Sequence, residues 1–446
     1  MNIKYSVIVP TLNEEYYIGK NINAITNKRD DVEIIVADGG SSDGTVEAAA
    51  AKGARISNTE KGRGIQLNAG ASIAKGNILF FLHADTLIPE NTFDLLDDFF
   101  PNENNNICRF KLGFDIDNHL LKVYTSFSKF NTIFTRYGDS GIVIRKNFFN
   151  SMGGFKNYFI FEDVEFLSRV SKKAKIRLLN AEAKSSARKF VYNGLIKNQI
   201  QSFALFAKYF LGSDSSQLWN DYFIKKNKMK KSSLIIFVRY PVKRKVKTRL
   251  AKDTNDEFSY DFYKICTEEI IKQARGLKSF NKYLFYTGAE EKEKIMSWAG
   301  PKFLYALQEG NNLGSRMLNA FELVFSHYAG KAIIIGSDIP DINPDIIYEA
   351  DKQLDNADIV IGPSEDGGYY LLGMKKVYKE LFENIDWSSN SVYNSTVETA
   401  NKLNLKTIEL KMLRDIDTKR DLDEWLNDAA ENPLKRTIKS LTQMKS

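Results

Sequence analysis

Cysteine is almost missing from this chain. Cys108 and Cys266 stand about 160 residues apart without the clustered spacing of a zinc site, which excludes a disulfide framework and argues against structural zinc. Long apolar runs are missing too. The segments around Phe80 and Phe206 are soon broken by charge, so none approaches the roughly 18 apolar residues that a membrane-spanning helix needs. The opening residues MNIKYSVIVPTLNEE carry one early lysine and a short β-branched run ending at Pro10. They have neither a long apolar region nor a small-residue cleavage site, so no signal peptide is predicted. These absences predict a globular protein of a reducing cytoplasm.

Acidic residues are missing from one stretch in particular. Residues 225–249 hold 11 basic and no acidic side chains, leaving 52 basic against 56 acidic residues elsewhere, so the net charge of +7 is a local excess. A local run of this kind suits a solvated linker or a phosphate-binding loop rather than a duplex-binding face, and no recognised nucleic-acid motif accompanies it. Nucleic acid is therefore not an expected partner.

What the sequence does have is 446 residues, 43% hydrophobic and 27% charged, enough for two or three domains with their own cores. The run Tyr5–Val9 leads through a turn into a helical pattern from Glu14 to Thr26. A second buried-strand run, Val32–Ala37, and a Gly-rich turn follow, which is the grammar of a βαβ unit. A third run, Ile78–Leu82, ends in His83-Ala84-Asp85. After lysine-rich 225–231 the pattern restarts with Ser233–Val238, a helical stretch around Tyr260–Arg275 and strands at Tyr283–Tyr286, Lys331–Ile335 and Asp358–Ile361. No close sequence repeat relates the halves, so any kinship between them is architectural. The expected organisation is two tandem α/β domains, 1–224 and 232–446, joined by a basic linker at 225–231.

Open α/β sheets bind ligands beyond the carboxyl ends of their strands. Asp85 is placed there in the first half, where an oxygen donor could hold Mg²⁺ or Mn²⁺ against phosphates. Asp38 follows the second strand and could accept from ribose or base donors. Asp43 reads equally as a helix cap. In Gly62-Arg63-Gly64 an arginine sits between glycines, suiting close backbone approach and charge pairing with phosphate. Glu162, Asp163 and Glu165 are three acids in four positions, read either as an acidic helix start or as a pair whose repulsion raises one pKa. Residues 194–223 are rich in aromatic and basic residues. They read as amphipathic helices packing over an acceptor cleft, with a peripheral membrane contact through Phe203, Phe206, Tyr209 and Phe210 as the second reading.

In the second half, FVRYPVKRKVKTRL (237–250) is a strand followed by a cationic loop that suits diphosphate or triphosphate oxygens. GSDIP (336–340), GPSEDGGYY (362–370) and RDID (414–417) put three acidic turns beside strand ends, where they could converge on a metal.

Taken in order, VIVPTLNEE, VADGGSSDGT, GRGIQLNAG, FLHADT, GDSGIVIRK and FEDVEF closely resemble family 2 glycosyltransferases of the GT-A fold over about residues 5–220. The resemblance implies two GT-A-like, Rossmann-like domains, each with a mostly parallel sheet flanked by helices. It implies a nucleotide pocket of Pro10, Thr11, Asn13, Glu14 and Asp38, with Arg63 at the diphosphate. Asp85 would be the metal ligand of a degenerate D-x-D motif, and Asp163 the base of an inverting transfer beside Glu162. Asp139, in Gly138-Asp-Ser-Gly141, reads either as a residue orienting the acceptor or as a turn aspartate. His83 stands where many members carry the first Asp. Residues 232–427 resemble the GT-A-like nucleotidyltransferases that include phospholactate guanylyltransferase. Together the halves look similar to a transferase pair associated with radical-SAM/selenodomain proteins and arsenosugar biosynthesis. That likeness implies Lys247 and Arg249 on phosphates, and Asp338 and Asp417 on a metal. Lys243-Arg244 replaces the usual Pro-Gly, and Asn312 replaces a common Asp.

The function expected is a bifunctional transferase using a nucleotide-sugar donor, a nucleoside triphosphate or diphosphate, and a small-molecule or lipid-linked acceptor. Two successive glycosyltransferases, or a second half that only binds nucleotide, are the alternatives.

Overall fold

Fully buried β-branched runs can satisfy their backbone only by pairing in a sheet covered on both faces. They form the centre of both sheets in the computed structural model. It describes residues 3–26, 29–118, 121, 125–126, 140–193, 204–209, 211–215, 217–218, 231–327, 329–387, 389–428 and 433–445. The chain divides into two compact units, one of residues 1–115 and 119–228, the other of residues 116–118 and 229–446.

The first unit is built on β1 (Tyr5–Thr11), β2 (Val32–Asp38), β3 (Arg55–Asn58), β4 (Ile78–Phe81), β5 (Thr86–Leu87), β6 (Ile107–Phe114), β7 (Ile142–Arg145) and β8 (Arg177–Ser185). Side chains alternate across the sheet as a strand requires. Val7, Val9, Phe80 and Leu82 pack in one layer with Ile18 and Ile22 of the helix Glu15–Thr26. Ile8, Leu79 and Phe81 pack in the opposite layer with Leu67 of the helix Arg63–Ile73 and Phe166 of the helix Glu162–Ser171.

The second unit is built on β9 (Ser232–Val238), β10 (Asn281–Tyr286), β11 (Leu304–Leu307), β12 (Lys331–Ile335), β13 (Ile359–Pro363), β14 (Tyr369–Met374) and β15 (Thr407–Glu409). The long helix Asp256–Gly276 starts at an Asn255 cap that accepts the Phe258 amide.

The strand orders are β3-β2-β1-β4-β7-β6-β8-β5 and β11-β10-β9-β12-β14-β13-β15. Apart from the short edge strand β5 they are one wiring used twice. The first four strands are parallel, the next two alternate antiparallel, and β8 and β15 each return parallel to their neighbour. The strand ends that carry chemistry therefore correspond: the loops after β1 and β9, after β4 and β12, and after β8 and β15.

Candidate functional sites

In the first unit, the loops after β1 and β2 are laced together. Thr11 Oγ1 donates to Asp38 Oδ1 at 2.8 Å, and Asp38 Oδ2 accepts the amides of Gly40 and Ser41 at 2.9 and 2.8 Å. Burial alone would raise the Asp38 pKa, but these donors and the Ser41 hydroxyl outweigh it and hold the carboxyl below the usual range. Asp38 thus organises the turn with the oxygens the sequence reading assigned to a nucleotide. Asn13 takes a left-handed φ of 58° and accepts the Ser42 amide at 2.8 Å. Asp43 accepts the Thr45 amide at 3.1 Å, which favours its helix-start reading. Gln66, 5% exposed, donates to the carbonyls of Thr11 and Ala37, both at 2.8 Å, and so fixes the helix that begins at Arg63 against both strand ends.

Arg63 Nη1 reaches Glu162 Oε1 at 3.4 Å. Gly64 needs to be glycine, because a Cβ would lie 1.9 Å from the Lys156 carbonyl. Glu162 opens its helix fully buried, with Oε2 lacking a hydrogen-bond partner. Burial pushes its carboxyl up to about 7, Arg63 opposes that, Asp163 adds to it, and His83 lies close enough to lower it slightly. Asp163 is 7% exposed and its Oδ1 accepts the Val164 amide at 2.8 Å. Glu165, by contrast, is bonded to Arg169 at 2.7 Å and paired with Lys156 at 3.3 Å, so the third acid is structural. The helix is entered through Phe161 at φ 65°, a left-handed conformation that a bulky residue seldom takes. Its ring packs on Phe206 at 5.6 Å and Tyr209 at 5.1 Å. Phe206 is buried and Tyr209 half-buried, and both brace the entry to the acidic helix. Phe203, Phe210 and Asp139 lie outside the described residues.

Asp85, just beyond β4, meets a residue that the sequence reading did not single out. Arg188 donates to both oxygens of Glu14 at 2.8 and 2.6 Å, and its Nη2 lies 2.8 Å from Asp85 Oδ2. All three side chains are 10–15% exposed. The Asp85 loop is held by buried Asn21, which donates to the carbonyls of His83 and Ala84.

In the second unit, two of the loop cations face away from the strand ends. Lys243 pairs with Glu257, and Arg244 Nε donates to Asp256 at 2.8 Å. Arg244 nevertheless adopts φ 66°, the left-handed turn that a glycine would supply. Lys247 turns inward, its side chain 5% exposed, donating to Asp417 Oδ1 at 2.7 Å and Asp338 Oδ2 at 3.1 Å. Burial would lower its pKa, but the two carboxylates keep the ammonium charged. Arg249, largely exposed, reaches Asp417 at 3.3 Å. Burial and the neighbouring Asp366 and Asp417 push Asp415 up to about 6. Asn312 caps the helix Leu313–Ser326 in a box with Ser315, a role an Asp would share. Lys247, Arg249, Asp338, Asp415 and Asp417 border a cavity of about 600 Å³ that extends to Trp387 and Ser389, a size typical of small-molecule sites. Of the three acidic turns, two meet at Lys247. Among the described residues no group of three or more His, Cys, Asp or Glu side chains is placed to hold a metal.

Residues 6–159 match the family model described as glycosyl transferase family 2, and residues 270–389 match the one described as uncharacterized protein conserved in bacteria (DUF2064). The chain carries a family 2 glycosyltransferase domain followed by a DUF2064 domain. The first domain implies glycosyl transfer from a nucleotide sugar. A solved structure described as a "putative nucleotide-diphospho-sugar transferase" from Desulfovibrio desulfuricans G20 is 29% identical, covers 48% of this chain and 95% of its own, and aligns with a TM-score of 0.46. Glucosyl-3-phosphoglycerate synthase from Mycobacterium tuberculosis, solved with Mn²⁺, UDP and glucosyl-3-phosphoglycerate, is 20% identical over 41% of this chain and 72% of its own, with a TM-score of 0.34. S. aureus TarS is 23% identical over 41% and 60%, also with a TM-score of 0.34. No curated protein matches the chain. No helix among the described residues is long and apolar enough to cross a membrane.

Proposed function

We propose that the family 2 domain moves a glycosyl group from a nucleoside-diphosphate sugar to an acceptor hydroxyl with inversion, Asp163 taking the acceptor's proton. The observation that carries this is the buried acidic pair Glu162–Asp163, facing Arg63 and within electrostatic reach of His83 in the Asp85 loop. Arg63 would meet the diphosphate, Thr11, Asn13 and Glu14 would shape the nucleotide loop beside Pro10, and Glu162, 3.4 Å from Arg63, would hold that arginine in place. The oxygen donors of Asp85 and Glu14 fit Mg²⁺ or Mn²⁺, because both already converge on a cationic group. Held at Asp85, the ion would neutralise charge on the leaving diphosphate. Asp85→Ala is expected to weaken binding of a nucleoside-diphosphate sugar roughly tenfold or more in the presence of Mg²⁺, measured by calorimetry. Unchanged affinity would remove Asp85 from the site.

For the DUF2064 domain we propose binding of a nucleotide in the 600 Å³ cavity, with nucleotidyl transfer to a phosphorylated substrate. Lys247 and Arg249 would meet the phosphates, and Asp338 and Asp417 would hold the metal. Lys247→Ala and Asp338→Ala should each reduce the thermal stabilisation given by nucleoside triphosphates with Mg²⁺. Undiminished stabilisation in both would leave this domain without its assigned site. The shared strand order favours a second reading, two successive glycosyl transfers of the arsenosugar type. Stabilisation of the second domain by nucleotide sugars in preference to triphosphates would select it.

A further inference from the structure

The same three loops build a charge triad in each unit, and the triad is permuted. In the first unit the loops after β1 and β4 supply the carboxylates of Glu14 and Asp85, and the segment after β8 supplies the cation, Arg188. In the second, the loop after β9 supplies the cation, Lys247, and the loops after β12 and β15 supply Asp338 and Asp417. Two carboxylates brought together favour positive charge between them, most strongly for Glu14 and Asp85, which are 15% and 10% exposed, and less for Asp338 and Asp417, at 45% and 37%. Each unit supplies that charge with its own side chain, taken from a different loop.

The two cations differ in how far they are committed. Lys247 is 5% exposed and starts a helix from a left-handed backbone conformation. Arg188 has a longer side chain, and the backbone that carries it is separately anchored. The Ala187 amide donates to Asp115 at 2.8 Å, the Arg188 amide donates to Ser186 Oγ at 3.2 Å, and the Ser186 amide donates to the Asp85 carbonyl at 3.0 Å. Its guanidinium can therefore move while its backbone stays fixed. Moreover, its planar fork matches a phosphate as well as it matches the Glu14 carboxylate.

Resting on the glycosyltransferase reading of this domain, we propose that Arg188 is a resident plug of the divalent-cation seat. It neutralises Glu14 and Asp85 in the empty protein and transfers its guanidinium to the diphosphate when nucleotide and metal load together. A divalent ion at Asp85 and a guanidinium on the same carboxylate repel each other, whereas an arriving diphosphate offers Arg188 new oxygens in the same place. Metal and nucleotide should then bind with positive linkage, each being weak alone.

The test is Mn²⁺ binding to the full-length protein without nucleotide, read from the free-ion signal in electron paramagnetic resonance. Arg188→Gln is expected to tighten Mn²⁺ binding roughly tenfold, the effect of removing a charge-assisted contact to each carboxylate. Adding Asp85→Ala should cancel the gain, which assigns it to this seat rather than to the second domain. In calorimetry with Mn²⁺ present, Arg188→Gln should weaken nucleoside-diphosphate binding by a similar factor. Arg188→Lys, which keeps the charge but loses the fork, should fall between wild type and Arg188→Gln on both readouts, and it serves if the glutamine variant does not fold. Unchanged or weaker Mn²⁺ binding in both Arg188 variants overturns the plug. Tighter Mn²⁺ binding with undiminished diphosphate affinity overturns the hand-over. If the wild type binds no nucleoside diphosphate, with or without Mn²⁺, the glycosyltransferase reading fails instead, a result separate from the nucleotide-free Mn²⁺ measurement.

Discussion

Asp163→Asn will leave donor binding intact and slow glycosyl transfer by about 100- to 10,000-fold, the usual span for loss of a positioned general base. The substitution preserves shape, and the Asn side-chain oxygen can still accept the Val164 amide that Asp163 Oδ1 accepts now. What it removes is the negative charge able to take a proton from an acceptor hydroxyl. Single-turnover rates with a nucleoside-diphosphate sugar, set beside donor affinity measured by calorimetry, separate the two effects. A rate close to wild type would move the base to Glu162 or Asp139 and overturn the assignment.

The second large effect is on stability. Glu162 holds its proton up to about pH 7 in the folded protein, because ionising it means placing charge on a buried oxygen without a hydrogen-bond partner. In the unfolded chain the same group loses its proton near the ordinary carboxylate value. The raised folded pKa therefore favours the fold below the unfolded pKa, and that contribution is lost as pH rises through about 7. Replacing Glu162 with glutamine removes this penalty. Glu162→Gln should accordingly be more stable than wild type above pH 7, by on the order of 3 kcal/mol for a shift of this size. The difference should shrink steadily toward pH 4.5 and vanish below it. Denaturation midpoints of both proteins across that range test the claim, and a difference independent of pH would contradict it. Above pH 7 the gain should come with impaired catalysis, since only there does the amide replace an ionised carboxylate facing Arg63.

How much of this was readable beforehand follows from what each segment buries. β1, β2, β4, β9 and β12 are buried on both faces, so their apolar runs announce them. β3 (Arg-Ile-Ser-Asn) and β8 (Arg-Leu-Leu-Asn-Ala-Glu-Ala-Lys-Ser) are largely exposed, and polar strands of this kind leave little pattern to read. The GT-A-like architecture common to the halves was implied by the resemblance of their motifs, but the strand-by-strand order was not legible, for a related reason. Strand order is fixed by contacts between distant segments, and the halves share no close sequence repeat.

Among the site residues, Asp85, Asp163, Lys247 and Asp338 stood out because each follows a recognisable strand end or opens a helix. Arg188 did not, since its partner Glu14 lies 174 positions away and nothing local distinguishes it from other basic residues. The one available signal was its position just after a strand, in a domain whose other strand ends are acidic. Conversely, the cationic loop 237–250 looked suited to phosphate as a whole by composition, yet not all of its cations are free for that role: Lys243 and Arg244 have partners of their own. They are engaged by Glu257 and Asp256, acids at the start of the next helix that offer nearer partners.

The repeated strand order has a consequence for redesign. If one scaffold accepts its buried positive charge from the first loop in one copy and from the last loop in the other, those loops behave as interchangeable sockets. The sheet specifies where they meet and is indifferent to which of them brings the cation. Ligand preference can then be altered by exchanging short segments at the strand ends, while the hydrophobic layers beneath are left untouched.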